Sequence, residues 1–213
     1  LTGTVISGEK LTIGPCSGIM LYREGTKKSY STLPGMVKKP QGKGILCPLF
    51  SLPEETMGQG AYDFLDVIHQ AGYQSWMLLP LCPVGDGDSP YSSRGIFAGD
   101  PRYIDPDIPV DMTGYPEFCR ENAFWLEDYV LFTVLRRVNN DRPWQSWQPE
   151  HRDRTNLPAL KKQYAAELEQ LRQEQYRFFY QWNRLRAYAK SLGIALIGDL
   201  PIYAAVDGAD TWA

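Results

Sequence analysis

The chain has 213 residues, 43% of them hydrophobic, 22% charged and 13% aromatic. That composition supplies enough apolar material for one or two domains with a buried core, and it excludes a disordered chain. A net charge of −3 gives nucleic-acid binding no electrostatic support, and no apolar run reaches the length of a membrane span. The opening "LTGTVISGEK" lacks a basic start and an apolar h-region, so no secretory signal is expected and a cytoplasmic location follows. Cys16, Cys47, Cys82 and Cys119 are widely spaced, and His69 and His151 stand alone. Buried free thiols in a reducing compartment are expected rather than a zinc site, and no metal is predicted.

In chain order, residues 10–24 read as two short strands around a Gly-Pro turn. Residues 25–42, with Lys27, Lys28, Lys38 and Lys39 among Gly, Ser and Pro, read as a solvated basic linker. The pattern changes at Gly44. "GILCPLFSLP" is a nearly continuous apolar run, as in a strand buried on both faces. Ala61, Phe64, Leu65, Ile68 and Ala71 then recur at helical spacing, with Gly72 as the stop, and "SWMLLPL" is a second buried strand. Strand, helix, strand makes a βαβ unit and a parallel sheet.

A long irregular region follows Leu81, rich in Gly, Pro, Asp and Ser, and such a segment inside a domain is usually functional. Helix returns at 121–137, where Trp125, Tyr129, Phe132 and Leu135 share a face, and "NNDRPWQSWQPEHRDRTNLP" breaks it. Residues 160–192 predict one long helix. Its stripe is Tyr164, Leu168, Leu171, Phe178, Trp182, Leu185, Ala189 and Leu192, with one gap. Bulky aromatics in so short a stripe favour packing on a sheet over a coiled coil. Gly193 ends it, and Ile194–Ile197 is a third buried strand.

Several chemistries find no support. "GQGAYD" and "GKGILC" are loose glycine loops, the second placed before its strand rather than after it. "DGDSPY" lacks the rest of a calcium loop, and two histidines make no serine triad. The placement of polar residues is more informative. In parallel α/β barrels, reactive groups sit at the C-terminal ends of strands. Here those ends carry Ser51 and Leu52, the Asp-Ser-Pro-Tyr loop, and Asp199. Acids with a tyrosine on one rim suit a polyhydroxylated ligand, whose hydroxyls donate to carboxylates and whose ring lies on an aromatic face. Asp199 is equally consistent with a loop-capping acid.

"GILCPLFSLP", "AYDFLDVIHQAGYQSWMLLPL", "GDSPYSS", "FAGDP", "NAFWLEDYVLF", "QWNRLRAYAKSLGI" and "IGDLPIYAAVDGADTWA" resemble, in this order, the amylomaltases. These are the 4-α-glucanotransferases of glycoside hydrolase family 77. The resemblance covers residues 42–213. It implies an α/β fold, an incomplete TIM (β/α)8 barrel of which this chain holds the first three strands, with a helical insertion. It implies retaining, double-displacement transfer of α-1,4-glucan segments from maltodextrin, or from starch- or glycogen-derived glucan, to another glucan or glucose. Two carboxyl groups about 5 Å apart suit that chemistry, with an incoming sugar in place of water. No cofactor is implied.

In the family, the nucleophile, the acid/base and a further Asp lie on later strands, beyond the block that ends at Ala213. No catalytic residue is therefore expected here. Tyr91 in "DSPY" and Asp199 in "GDLPIY" match family residues that face the sugar at the cleavage point, with Ser89 a third substrate-binding candidate. Departures are Arg94 and Asp100 in and around "GIFAGDP", a short segment between Asp105 and Phe118, and Ala204 and Gly208 near the end. They leave donor length open.

The stretch "LTIGPCSGIMLYRE" resembles the last strands of the β-sandwich that closes α-amylase-type enzymes. The implied organisation is 1–24 as the tail of a preceding β-sandwich domain, 25–42 as linker, and 43–213 as the N-terminal part of the barrel, with a fused α-glucan enzyme domain upstream. The alternatives are a hydrolytic α-amylase-type enzyme and a non-catalytic glucan-binding barrel. On its own the chain is expected to be inactive, and poorly stable because three barrel strands leave an open edge.

Overall fold

The computed structural model describes residues 42–213. The β segment expected at 1–24 and the linker expected at 25–42, apart from Gly42, lie outside the described residues. Three parallel strands form the central sheet: β1 (Gly44–Leu46), β2 (Ser75–Met77) and a third at Ala195–Ile197, with the β2 strand in the middle. The register pairs Ile45 with Trp76 and Trp76 with Leu196. Helix α1 (Gln59–Gln70) makes the first crossover. Its Ala61, Leu65 and Ile68 fall at i, i+4 and i+7 and are buried together against the sheet. Gly72, at φ +76°, takes the left-handed turn that stops the helix, so Ala71 lies past its end and is exposed instead of joining the core.

Trp76 fills the middle of the sheet and its indole N–H donates to the Cys47 carbonyl at 2.8 Å. Burial on both faces, expected for the first and third strands, does not hold. Leu46 is 55% exposed, and all three residues of Ala195–Ile197 are only half-buried. Both strands are outer strands of this sheet, and helices cover one face of it. The cysteines follow the same division: Cys82 is buried, while Cys47 and Cys119 are half-buried.

The irregular region after β2 contains β3 (Ser92–Ser93) and several single turns. Helix α2 (Tyr115–Val138) starts six residues earlier than the apolar periodicity indicates. Pro116 sits at its first turn with Glu117 beside it, and Asp111 caps the turn before it by accepting from the Thr113 amide. Trp125, Tyr129, Phe132 and Leu135 are buried, as the spacing predicts. Leu126, Val130, Leu131 and Val134 are buried too, because other helices pack on further sides of α2.

After the short helix α3 (Pro149–Arg152), the single long helix expected over 160–192 is two. These are α4 (Leu157–Gln163) and α5 (Ala165–Ser191), separated at Tyr164, whose φ of −106° departs from the helix. The stripe packs on the sheet and on α2, which settles it against a coiled coil. Gly193, at φ +72°, ends α5. The third sheet strand is β4 (Ala195–Ile197), and β5 (Tyr203–Ala204) and α6 (Ala209–Trp212) close the chain.

Two apolar cores result. One lies between the sheet, α1 and α5 around Leu65, Trp76 and Leu185. The other lies among α2, α5 and α6 around Leu131, Phe132 and Trp212. Each fully buried leucine or phenylalanine contributes about 1.5–3 kcal/mol of transfer free energy.

Candidate functional site

The loops that leave β2 and β4 meet beyond the C-terminal ends of those strands. They are joined through a second sheet, the parallel two-residue pair β3–β5, which matches Ser92 with Tyr203 and Ser93 with Ala204. The Tyr203 amide donates to the Tyr91 carbonyl at 3.0 Å, and the Ala205 amide to the Ser93 carbonyl at 2.8 Å. Ser93 is fully buried. Its hydroxyl donates to the Pro83 carbonyl at 2.9 Å and accepts from the Gly95 amide at 3.1 Å. The small buried hydroxyl thus folds the loop back on itself.

This zipper brings together two of the predicted site residues. The Tyr91 phenol donates to Asp199 Oδ2 at 2.9 Å, across 108 residues of sequence. The hydrogen bond to that carboxylate holds the phenol above its usual pKa, so Tyr91 stays a neutral donor. The other oxygen of Asp199 accepts from the Leu200 amide at 2.9 Å. One oxygen of Asp199 thus braces its own loop, as the loop-capping reading expects, and the other reaches across the rim to Tyr91. Ser89 acts locally, accepting from the Tyr91 amide at 3.3 Å. The end of the first strand does not join them: Leu52 turns inward to the core beside α1.

Asp199 also borders a cavity of about 200 Å³, lined by Leu78, Leu81, Phe97, Ala98 and Trp182 among others. Its walls are aliphatic and aromatic, and Asp199 is the one ionisable carboxylate on them. A hydrogen-bond acceptor at the edge of an apolar, ring-bearing wall suits a sugar, which presents hydroxyls around a ring with C–H faces. Among the described residues, no group of three or more His, Cys, Asp or Glu is arranged to hold a metal. None of the described helices is long and apolar enough to cross a membrane.

Sequence reasoning missed three features around this rim. Asp100, noted only as a departure, is buried, accepts from Arg102 Nε and Nη2, and caps the turn that follows it by accepting from the Arg102 amide. Asp207 is buried, pairs with Arg136 of α2, and accepts the Trp144 amide at 2.9 Å. Gln175 and Gln181 of α5 are buried and hold the loop at Gly99 and Asp105. A signal for the first glutamine was available: the gap in the α5 stripe, between Leu171 and Phe178, is Gln175.

Comparison with known proteins adds independent support. A family model described as 4-alpha-glucanotransferase matches residues 47–113 and 109–213. A 4-alpha-glucanotransferase of Thermus thermophilus is 34% identical over 82% of this chain and 45% of its own length. One from Clostridium butyricum is 30% identical over 74% of this chain and 42% of its length. The chain thus spans just under half the length of these curated relatives. Among solved structures, the amylomaltase of Streptococcus agalactiae in complex with acarbose superposes with a TM-score of 0.71. It does so at 24% identity, over 81% of this chain and 46% of that one.

Proposed function

The chain belongs to the glycoside hydrolase family 77 4-alpha-glucanotransferases, and from that premise we propose that the protein containing it transfers α-1,4-glucan segments between maltodextrins, or to glucose. The observation that carries this is the contact of Tyr91 with Asp199. Two separate motifs of the family resemblance, far apart in sequence, meet through this bond, and Asp199 in turn lines an apolar, ring-bearing cavity. In this proposal Tyr91 offers its ring face to the sugar at the cleavage point. Asp199 accepts hydroxyl protons there and adds negative charge beside a positively charged, oxocarbenium-like transition state. Ser89 sets the turn that carries Tyr91. The carboxylate nucleophile and the acid/base belong to residues outside this chain. The nucleophile displaces the leaving glucan, whose oxygen takes the acid's proton; the acceptor 4-hydroxyl then gives its proton back to that same group, now a base, as its oxygen displaces the enzyme carboxylate.

We extend the proposal to the architecture. The three parallel strands are read as the first of a (β/α)8 barrel, with α2 to α4 as the helical insertion and α5, which packs on the sheet, as the crossover helix into β4. Support comes from the neighbouring strand order and from the exposed Leu46, Leu200, Ile202 and Val206, apolar residues that later strands would cover. Residues 43–213 then form the N-terminal part of that barrel, in keeping with a family match that begins at residue 47. Residues 1–24 are assigned to a preceding domain and 25–42 to a linker. A reducing compartment such as the cytosol suits the free Cys47, Cys82 and Cys119.

The test is incubation of the full-length protein with maltotriose. Disproportionation gives glucose and longer chains with a constant number of reducing ends, whereas hydrolysis raises that number. A rise without longer products overturns the transfer proposal, and no conversion at all favours a glucan-binding role.

A further inference from the structure

Helix α5 grips the loop between β3 and α2 twice, by the same device. Gln175 donates from Nε2 to the Gly99 carbonyl at 2.9 Å and accepts the Gly99 amide on Oε1 at 2.8 Å. Gln181 treats Asp105 identically, at 2.7 and 2.9 Å. Each side-chain amide pairs with one loop residue as a neighbouring strand would. The two glutamines are 0% and 1% exposed, so a loop that slipped would strand buried polar groups, at about 1–3 kcal/mol each.

A leucine at 175 would continue the apolar stripe and leave both Gly99 groups without these partners. Packing alone therefore does not account for the glutamine. The loop between the clamps is fixed further. Gly99 lies so close over Phe178 that an added Cβ would come within 2.1 Å of the ring, and the Asp100 amide donates to the Leu81 carbonyl at 2.8 Å. Immediately before the Gly99 clamp stand Phe97 and Ala98, which line the cavity that Asp199 also lines. Neither glutamine lines that cavity.

We propose that Gln175 and Gln181 are positioning residues of the glucan site, holding Phe97 and Ala98 as a fixed wall across the cavity from Asp199. This rests on the glucan-transfer proposal above. The amides act through the loop backbone and touch no substrate. Their loss is therefore felt as misplacement of the wall, an effect that reaches about 100-fold for a displacement near 1 Å.

The experiment uses the full-length protein with Gln175→Met and Gln175→Glu. Turnover of maltotriose is measured per folded molecule, well below each unfolding midpoint. Gln175→Met is expected to lower kcat by about 10- to 100-fold. In Gln175→Glu a protonated carboxyl still donates to the Gly99 carbonyl, and an ionised one does not. Its kcat should stay near wild type at acid pH and fall as pH rises, a limb the wild type lacks. If both variants, and Gln181→Met beside them, keep the wild-type kcat and pH profile while only the midpoint falls, the glutamines are structural and the proposal is overturned. Hydrogen exchange of the wild type tests the clamp even where a variant fails to fold. The Gly99 and Asp105 amides should be protected as well as the α5 core, and rapid exchange overturns the proposal. A wild type that protects these amides yet converts no maltotriose overturns the glucan-transfer proposal, and this one with it.

Discussion

The helical layer around α2 and α5 and the rim at residues 199–206 differ in how much of their structure they supply for themselves. In the helical layer, Leu126, Val130, Leu131 and Leu135 are buried on several sides of one helix. Ion pairs stitch its surface: Glu127 with Arg172 and Lys161, and Asp128 with Arg154. On the rim, Leu200 is 81% exposed, and Ile202 and Val206 are similarly open. The Tyr91–Asp199 bond and a two-residue ladder hold it. The helices are a scaffold that closes on itself, while the rim takes support from that scaffold at its end, where Arg136 pairs with the adjoining Asp207. Its own apolar residues are presented outward.

The largest expected effects lie in the scaffold. Leu131→Ala should cost about 2–5 kcal/mol in urea unfolding of the chain, since the residue is fully buried and its neighbours close the cavity only in part. Leu200→Ala should change stability by less than about 0.5 kcal/mol. Equal losses at the two sites would abolish the distinction.

Next comes the link between the regions. Arg136→Met leaves the Asp207 carboxylate at an interior position without its cation, and about 3 kcal/mol of destabilisation is expected. Adding Asp207→Leu should recover part of that loss, because the uncompensated charge is then gone. A double variant no better than the single would show that the arginine acts by packing alone.

At the rim, stability and activity should separate. Asp199→Ala should lower transfer by the full-length protein by about 100-fold, in the range of a lost charge-stabilising group, while shifting the unfolding free energy by about 1 kcal/mol or less. Tyr91→Phe keeps the ring and loses only the hydrogen bond, so its effect on transfer should be smaller. An unchanged rate in Asp199→Ala would reduce Asp199 to its bond with the Leu200 amide.

The same division explains what the sequence made legible. Apolar spacing located α1, the buried face of α2 and the α5 stripe, because those patterns record burial within the chain itself. It ran through the break at Tyr164, since neither Gly nor Pro marks that position. It also overestimated the burial of the outer strands, because an apolar run records a need for cover and not what supplies it. Tyr91 and Asp199 were found by motif and strand-end position, and their meeting depends on the β3–β5 pairing of only two residues per strand. A run that short carries no readable period. The glutamine clamps escaped because a polar residue in a stripe reads as a defect until its backbone partners are seen.

The smallest expected effect again separates the regions, through pH. His151 is buried in the helical layer, with the Asn139 side-chain amide 2.9 Å from Nδ1 and the Gln148 amide close to both ring nitrogens. Burial lowers its pKa from the ordinary 6.5, with Glu150 opposing weakly. The unfolded chain therefore takes up the proton first. Stability is full above about pH 6.5 and falls as pH drops, until the folded ring protonates as well. Glu127 and Glu169, held below the ordinary carboxylate value by Arg172 and Tyr115 respectively, lose stabilisation only in stronger acid. Glu174 acts in the opposite sense, since burial raises its pKa and neutralising it favours the folded state as pH falls. The informative measurement is therefore a difference: the unfolding midpoint of wild type minus that of His151→Gln, followed from pH 7.5 to 5. That difference should shrink steadily below pH 6.5 as the histidine becomes a liability. A constant difference would mean that the ring protonates as readily folded as unfolded. His151 would then be no part of the closed interior that sets the helical layer apart from the rim.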